Sequence, residues 1–285
     1  ILKQFNIIEF KLLSWRVADA NIAKVNNAAG TGFPVADNTV EWLEKTLDVC
    51  ASSGGALDIT IGKISALWDF GGENERLPKK DDLDSLLDKV DYRSVEIIGN
   101  TVKIARGQSL DMGAVGKGIA CDEAGKILSE SKVKSAIISV GGSILLYGDM
   151  DDFRVGVRDP NGRSTDYMGI LTLKSGCIST SGSYEKVFTR DDKSYFHILD
   201  PKTGYPAQSG LTSVTVVCDS GLISDALSTA CFVLGYENSL PLLAKYKAEA
   251  VFIADDRSVK VTPGLDGAFK ITNSDYSLAS TGALS

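Results

Sequence analysis

The chain has one histidine, His197, within YFHILDPKTGYPA at 195–207. A neutral imidazole, titrating near ~6.5, is suited to take a proton from a hydroxyl at neutral pH. A lone histidine also serves as an ordinary structural residue, and the Asp200-Pro201 and Thr203-Gly204 pairs beside it are common turn chemistry. A second group of oxygens lies in SDALSTA at 224–230. Asp225, Ser228 and Thr229 fall at i, i+3 and i+4, so a helix brings them to one face. One carboxylate and two hydroxyls suit a hard cation such as Mg²⁺, with phosphate and water completing its shell. The same residues also read as the capped start of a helix, with Ser224 or Asp225 accepting from the first free N–H groups.

LDMGAVGKGIACDEAG at 110–125 is a glycine-rich turn entering a helix near Val115, with Asp111 at the end of a strand and Lys117 on the first helical turn. Such a turn offers N–H groups and a cation to phosphate. The spacing matches neither a Walker A loop nor GxGxxG, and the glycines also suit tight packing of helix on strand. In GGALDITIGKISALWDFG at 54–71, Asp58 is expected to begin an alternating strand. Trp68 and Phe70, two apart, suit a clamp on a planar ring or a place in the core.

These residues need elements to hold them. Helical spacing of Trp42, Leu43, Leu47 and Cys50 predicts a helix over 38–55, and KKDDLDSLLDKV a shorter one at 79–90. Hairpins are expected around Gly99-Asn100 and Asp256-Arg257. Strands are expected at 135–148 (broken by Gly141-Gly142), 153–160, 169–182 and 211–218. Helices are expected at 113–132 and 220–235. Strands joined mostly as hairpins, with helices interspersed, predict an α+β fold with antiparallel sheets. We expect one domain over 1–285, with a small helical subdomain at about 38–95.

The net charge of −7 and a pI near 4.9 argue against nucleic acid as a partner. No apolar run has the ~18 residues of a membrane span. The five cysteines include no CxxC pair and read as small buried apolar residues. The opening ILKQFNIIEFKLLSW reads as the inside of a domain, without a leader or cleavage site, so any targeting signal is expected upstream.

Taken in order, these stretches resemble the ApbE family of FAD:protein FMN transferases. DMGAVGKG resembles the family's Asp-Leu-Gly-x-x-x-Lys-Gly turn. SVGGSILLYG resembles its Gly-Gly strand pair, and STSGSYEK its Ser-Thr-Ser-Gly segment. HILDPKTGYP is similar to His-x-x-Asp-Pro-x-Thr-Gly-x-Pro, and DALSTA to the Asp-Ala-x-x-Thr helix. LDITIGKISALWDFG and LLSWRVADANIAKVN also fit, so the resemblance runs from about residue 8 to about 265. The family's N-terminal strand with Met-Gly-Thr, and a flavin-contacting Met with it, have no counterpart in this chain.

The resemblance implies a T-fold-like α+β architecture. It implies Mg²⁺-dependent transfer of FMN from FAD to a Thr or Ser hydroxyl of a target flavoprotein, typically a membrane redox subunit, with release of AMP. By motif position, Asp225, Ser228, Thr229 and the backbone of Ala114 fall on the metal side. Ala56, Leu57, Asp58, Asp111, Lys117 and Leu199 are expected to contact FAD, with Trp15 near the flavin. Ser228 stands where some relatives have a carboxylate. His197 is expected to be the general base or a group orienting the phosphate. An extracytoplasmic place at the cell envelope, through a lipid anchor upstream of this chain, is also implied. The alternatives are an FAD pyrophosphatase giving FMN and AMP, and a flavin-binding lipoprotein without turnover.

Overall fold

The computed structural model describes residues 1–148 and 152–279. The α-helices are α1 (Leu2–Ile7), α2 (Asn21–Asn27), α3 (Asp37–Ser52), α4 (Gly62–Trp68), α5 (Lys80–Leu87), α6 (Gly116–Ser129) and α7 (Gly221–Lys245). The strands are β1 (Phe33–Pro34), β2 (Glu96–Ile98), β3 (Thr101–Lys103), β4 (Ser135–Val140), β5 (Ser143–Gly148), β6 (Phe153–Arg158), β7 (Tyr167–Leu173) and β8 (Gly176–Gly182). They continue with β9 (Val187–Arg190), β10 (Lys193–Phe196), β11 (Leu211–Cys218), β12 (Glu249–Ala254), β13 (Ser258–Val261), β14 (Phe269–Ile271) and β15 (Ser277–Leu278).

The main sheet has the order β15-β13-β12-β11-β8-β5-β4 and is antiparallel except where β13 meets β15. Strand alternation divides its side chains between two layers. Ala250 and Phe252 of β12, with Val214 and Val216 of β11, pack with Leu222, Ala226, Ala230 and Phe232 of α7. Val251 and Ile253 point the other way, onto Met168 and Leu171 of the three-stranded sheet β14-β7-β6. Each fully buried Val, Leu, Ile, Met or Phe side chain among them contributes about 1.5–3 kcal/mol, and each Ala less. The fold is thus α+β with mostly antiparallel sheets, as the hairpin spacing predicts. The two expected hairpins form, β2–β3 around Gly99-Asn100 and β12–β13 around Asp256-Arg257.

α3 forms because Trp42, Leu43, Thr46, Val49 and Cys50 recur on one buried face. It joins the same core as α7. α4 and α5 belong to a separate cluster, where Ile64, Trp68 and Leu83 meet Tyr195 and Leu199. α7 breaks where the sequence places its end: Gly235 has φ 76 and ψ 173, and a second helical segment carrying Pro241 follows. All five cysteines are free thiols, four buried and Cys218 half-buried. Among the described residues no helix is long and apolar enough to cross a membrane.

Two local expectations are corrected. Asp58 begins no strand: 58–61 is a turn with a single bridge from Ile61 to Ser109, and α4 follows at Gly62. The Asp58 carboxylate accepts from the Thr60 N–H at 2.8 Å and the Thr60 hydroxyl at 2.6 Å, a side-chain-closed turn that competes with strand geometry. Asp111 likewise ends no strand: the residues before it form no strand beyond that bridge, and its own N–H donates to the Ile59 carbonyl at 2.7 Å. Of the two roles open to Trp68, the place in the core holds: it is fully buried, stacked on Phe70 at 5.1 Å, with its indole N–H donating to the Gly204 carbonyl at 2.8 Å.

Candidate active site

The starts of α6 and α7 cross at two glycines. A Cβ on Gly118 would lie 1.9 Å from the Gly221 carbonyl oxygen, and one on Gly221 2.3 Å from that of Gly118. No side chain fits there. Of the two roles open to the glycine-rich turn, tight packing therefore holds at Gly118, though against a helix and not a strand. The crossing brings the Asp225 carboxylate against the first turn of α6, where its Oδ2 accepts from the Gly118 N–H at 2.9 Å. That N–H, expected to face phosphate, is occupied by a carboxylate of the protein itself.

The other oxygen of Asp225 faces Lys117, with Nζ to Oδ1 at 3.2 Å. The Asp225 side chain is 2% exposed and that of Lys117 37%. Burial pushes the Asp225 carboxyl above its usual range, and the Lys117 ammonium and Gly118 N–H oppose the shift. Lys117 reaches across the Gly141-Gly142 turn, where a Cβ on Gly141 would sit 3.3 Å from its Cδ. Asp122 of α6 holds the beginning of α7: its carboxylate accepts from the Gly221 N–H at 2.5 Å, the Leu222 N–H at 3.0 Å and the Ser220 hydroxyl at 2.9 Å. Ser220 itself caps α7 through Ile223 N–H.

Ser228 donates to the Asp225 carbonyl at 2.9 Å and pairs with the Ser181 hydroxyl at 2.8 Å. Thr229 lies 3.2 Å from the same Ser181 oxygen. The helix-capping role open to Asp225 is not the one it takes, since Ser220 and Asp122 fill it. Among the described residues no three carboxylate, imidazole or thiol groups cluster as metal ligands. The oxygen set at Asp225 is one carboxylate with hydroxyls.

Lys117, Gly141, Ser181 and Thr229 border a cleft of about 640 Å³, within the range of cofactor sites. Trp15, Ala56, Leu57, Asp58, Asp111, Ala114, Lys117, His197, Leu199 and Thr229 all line it. Asp225 and Ser228 do not; they lie buried beneath Lys117 and Ser181. The Asp111 loop is fixed by the Asn26 side chain, which donates to the Leu110 carbonyl at 3.0 Å and accepts from the Leu110 N–H at 2.7 Å. Asp111 Oδ1 accepts from the Gly113 N–H at 2.9 Å, closing the turn into α6. Asp58 also accepts from the Tyr92 N–H at 2.9 Å, although burial pushes its carboxyl up.

His197 follows β10 directly, at the strand end where its spacing puts it. Its Nδ1 lies 3.0 Å from the Glu185 carbonyl oxygen, which can only accept, so Nδ1 carries the hydrogen and Nε2 the lone pair. Burial, aided by the charges of Lys186 and Lys117, pushes its pKa down to about 4. The imidazole is therefore neutral at neutral pH. Glu185 and Lys186 line the cleft as well, and Lys186 adopts a left-handed φ of 43. Arg16 lies over the Trp15 ring at 4.1 Å and pairs with Asp69 at 3.7 Å.

Asn26, Asp122, Ser181, Glu185 and Lys186 were not singled out by sequence reasoning. Ser181 and Glu185 stand in the STSGSYEK segment, where alternation along β8 signals which hydroxyls share a face. Asn26 and Asp122 act across 84 and 99 residues of chain, and no local pattern announces them.

A family model described as the ApbE family matches residues 2–252. The chain belongs to the ApbE family. Among ApbE relatives, the FAD:protein FMN transferase of Treponema pallidum is 33% identical over 288 residues, covering 94% of this chain and 80% of its own. That of Escherichia coli strain K12 is 28% identical over 240 residues, covering 80% and 68%. The crystal structure of the ApbE protein of Thermotoga maritima superimposes with a TM-score of 0.88 at 28% identity, over 94% of this chain and 89% of the other. The apo flavinyl transferase ApbE of Pseudomonas stutzeri gives 0.79 at 27% identity, over 94% and 85%. The resemblance in the ordered motifs and the α+β fold both stand on these matches.

Proposed function

We propose that this ApbE-family protein transfers FMN from FAD to a hydroxyl of a protein acceptor and releases AMP. The observation that carries the reading is His197, a neutral imidazole with its Nδ1–H on the Glu185 carbonyl, in the same cleft as Lys117. An acceptor Thr or Ser hydroxyl must lose its proton as its oxygen attacks the FMN phosphorus. Nε2 of His197 takes that proton, and its low basicity in the cleft keeps it unprotonated until then. The bond from the FMN phosphorus to the bridging oxygen breaks, and AMP leaves with that oxygen. Lys117, on the first turn of α6, offsets the pyrophosphate charge. Trp15 offers a ring face to the flavin, while Ala56, Leu57, Asp58, Asp111 and Leu199 border the same space.

The residues that would hold Mg²⁺ are Asp225, Ser228, Thr229 and the Ala114 carbonyl. This all-oxygen set with one carboxylate fits a hard cation that shares its shell with water and phosphate. The Lys117 ammonium 3.2 Å from Asp225 supports a preference of that buried carboxylate for a positive charge beside it. A bound Mg²⁺ would supply electrostatic stabilisation to the pyrophosphate as negative charge develops on it. We extend the reading to a membrane redox subunit as the acceptor and to an extracytoplasmic, envelope-anchored location, both on family resemblance.

The test is incubation with FAD and Mg²⁺, with and without a Thr-containing acceptor domain. The reading expects AMP together with an FMN-sized mass gain on the acceptor. AMP without mass gain on any acceptor tried would replace transfer by FAD hydrolysis. His197→Ala, if it kept normal transfer, would remove the base assignment.

A further inference from the structure

The pairing of Lys117 with Asp225 has a consequence for the order in which the site fills. Both carboxylate oxygens of this buried group are engaged in the protein itself, Oδ1 by the Lys117 ammonium at 3.2 Å and Oδ2 by the Gly118 N–H at 2.9 Å. An unpaired carboxylate at 2% exposure is costly. The ammonium is its internal counter-ion. A divalent cation seeking the same carboxylate meets a positive charge already in place. Lys117 cannot stay beside it without strong like-charge repulsion in a poorly solvated site.

Lys117 is able to leave. Its side chain is 37% exposed and lines the cleft, and its stem lies over Gly141, which presents no side chain to hold it. A swing toward the cleft takes the ammonium to where an anionic diphosphate would lie. We propose that Lys117 is a displaceable counter-ion of Asp225: it blocks the divalent cation in the ligand-free protein, and it is released to the diphosphate of FAD when the cation binds. The proposal rests on the FAD and cation reading of this site. It makes the two ligands mutually dependent, because each relieves the charge that the other must displace.

Two binary affinities test it without turnover: Mn²⁺ binding alone, by electron paramagnetic resonance, and FAD binding in metal-free buffer, by flavin fluorescence. Removing the ammonium in Lys117→Met should tighten Mn²⁺ binding in the absence of FAD by about 10-fold or more, a coupling within the ordinary range for linked sites. Removing the carboxylate charge in Asp225→Asn should abolish Mn²⁺ binding. It should also tighten metal-free FAD binding several-fold, because Lys117 is then untethered. The second variant leaves no buried charge unpaired, so it remains informative where Lys117→Met does not fold. Unchanged or weaker Mn²⁺ binding in folded Lys117→Met would overturn the proposal. So would unchanged or weaker metal-free FAD binding in Asp225→Asn. Wild-type protein that binds no FAD, with or without Mn²⁺, would instead sink the functional reading on which the proposal rests.

Discussion

The protonation of His197 can be measured directly, because the chain has no other histidine. Its imidazole Cε1–H signal in a carbon–proton correlation spectrum needs no assignment. Burial pushes its pKa to about 4 from an ordinary 6.5, with Lys186 and Lys117 acting in the same direction and Asp111 against it. With a pKa of 4, about 90% of the imidazole keeps Nε2 free at pH 5, against about 3% at the ordinary value. The supply of base at pH 5 thus differs by about 30-fold between the two cases. The titration should show a midpoint near 4, and transfer at saturating FAD should not fall through a limb near 6.5. The stability sign follows from the same shift. The unfolded chain binds the proton below pH 6.5 and the folded chain only near 4, so stability falls as pH drops across that window. A midpoint near 6.5 in the folded protein would refute the argument that burial sets the protonation of His197.

Three substitutions probe the supports of the site. Gly118→Ala places a Cβ 1.9 Å from the Gly221 carbonyl oxygen. Because the obstruction is backbone, it should cost about 3 kcal/mol or more in urea unfolding; a loss below about 1 kcal/mol would contradict the close crossing. Asp122→Ala removes the acceptor of two N–H groups and one hydroxyl at the start of α7. It should destabilise by about 1–3 kcal/mol and weaken divalent-cation binding, and a neutral effect on both would deny Asp122 its hold on α7. Trp68→Phe keeps one aromatic ring in the core but loses the N–H that donates to the Gly204 carbonyl and leaves unfilled the space of the rest of the indole. It should cost about 1–3 kcal/mol, read by thermal unfolding, with FAD affinity weakened less than by Trp15→Ala.

Much of the site was legible because its residues stand in short local patterns. The i, i+3, i+4 spacing put Asp225, Ser228 and Thr229 on one face of α7, and Gly235 marked where the first segment of that helix ends. The glycine-rich turn marked the entry into α6 to within a residue of Val115. The failures came where a side chain overrode a backbone pattern. DITIGKI alternates like a strand, yet Asp58 folds its carboxylate onto Thr60 and α4 begins at Gly62. Long-range partners were invisible for a different reason. Asp122 is an unremarkable acidic residue within α6 until the Gly118–Gly221 crossing brings the start of α7 to it. The placement of Asp225 beneath Lys117, and not in the cleft wall, also depends on that crossing.

The central claim is that the cleft holding His197 and Lys117 moves FMN from FAD to a protein hydroxyl. The most direct measurement is the intact mass of a Thr-containing acceptor domain after incubation with the protein, FAD and Mg²⁺, with AMP followed in the same sample. The account predicts one FMN-sized gain per acceptor with an equal amount of AMP, both lost in His197→Ala and on chelation of the metal. An acceptor of unchanged mass beside bound, intact FAD would contradict it.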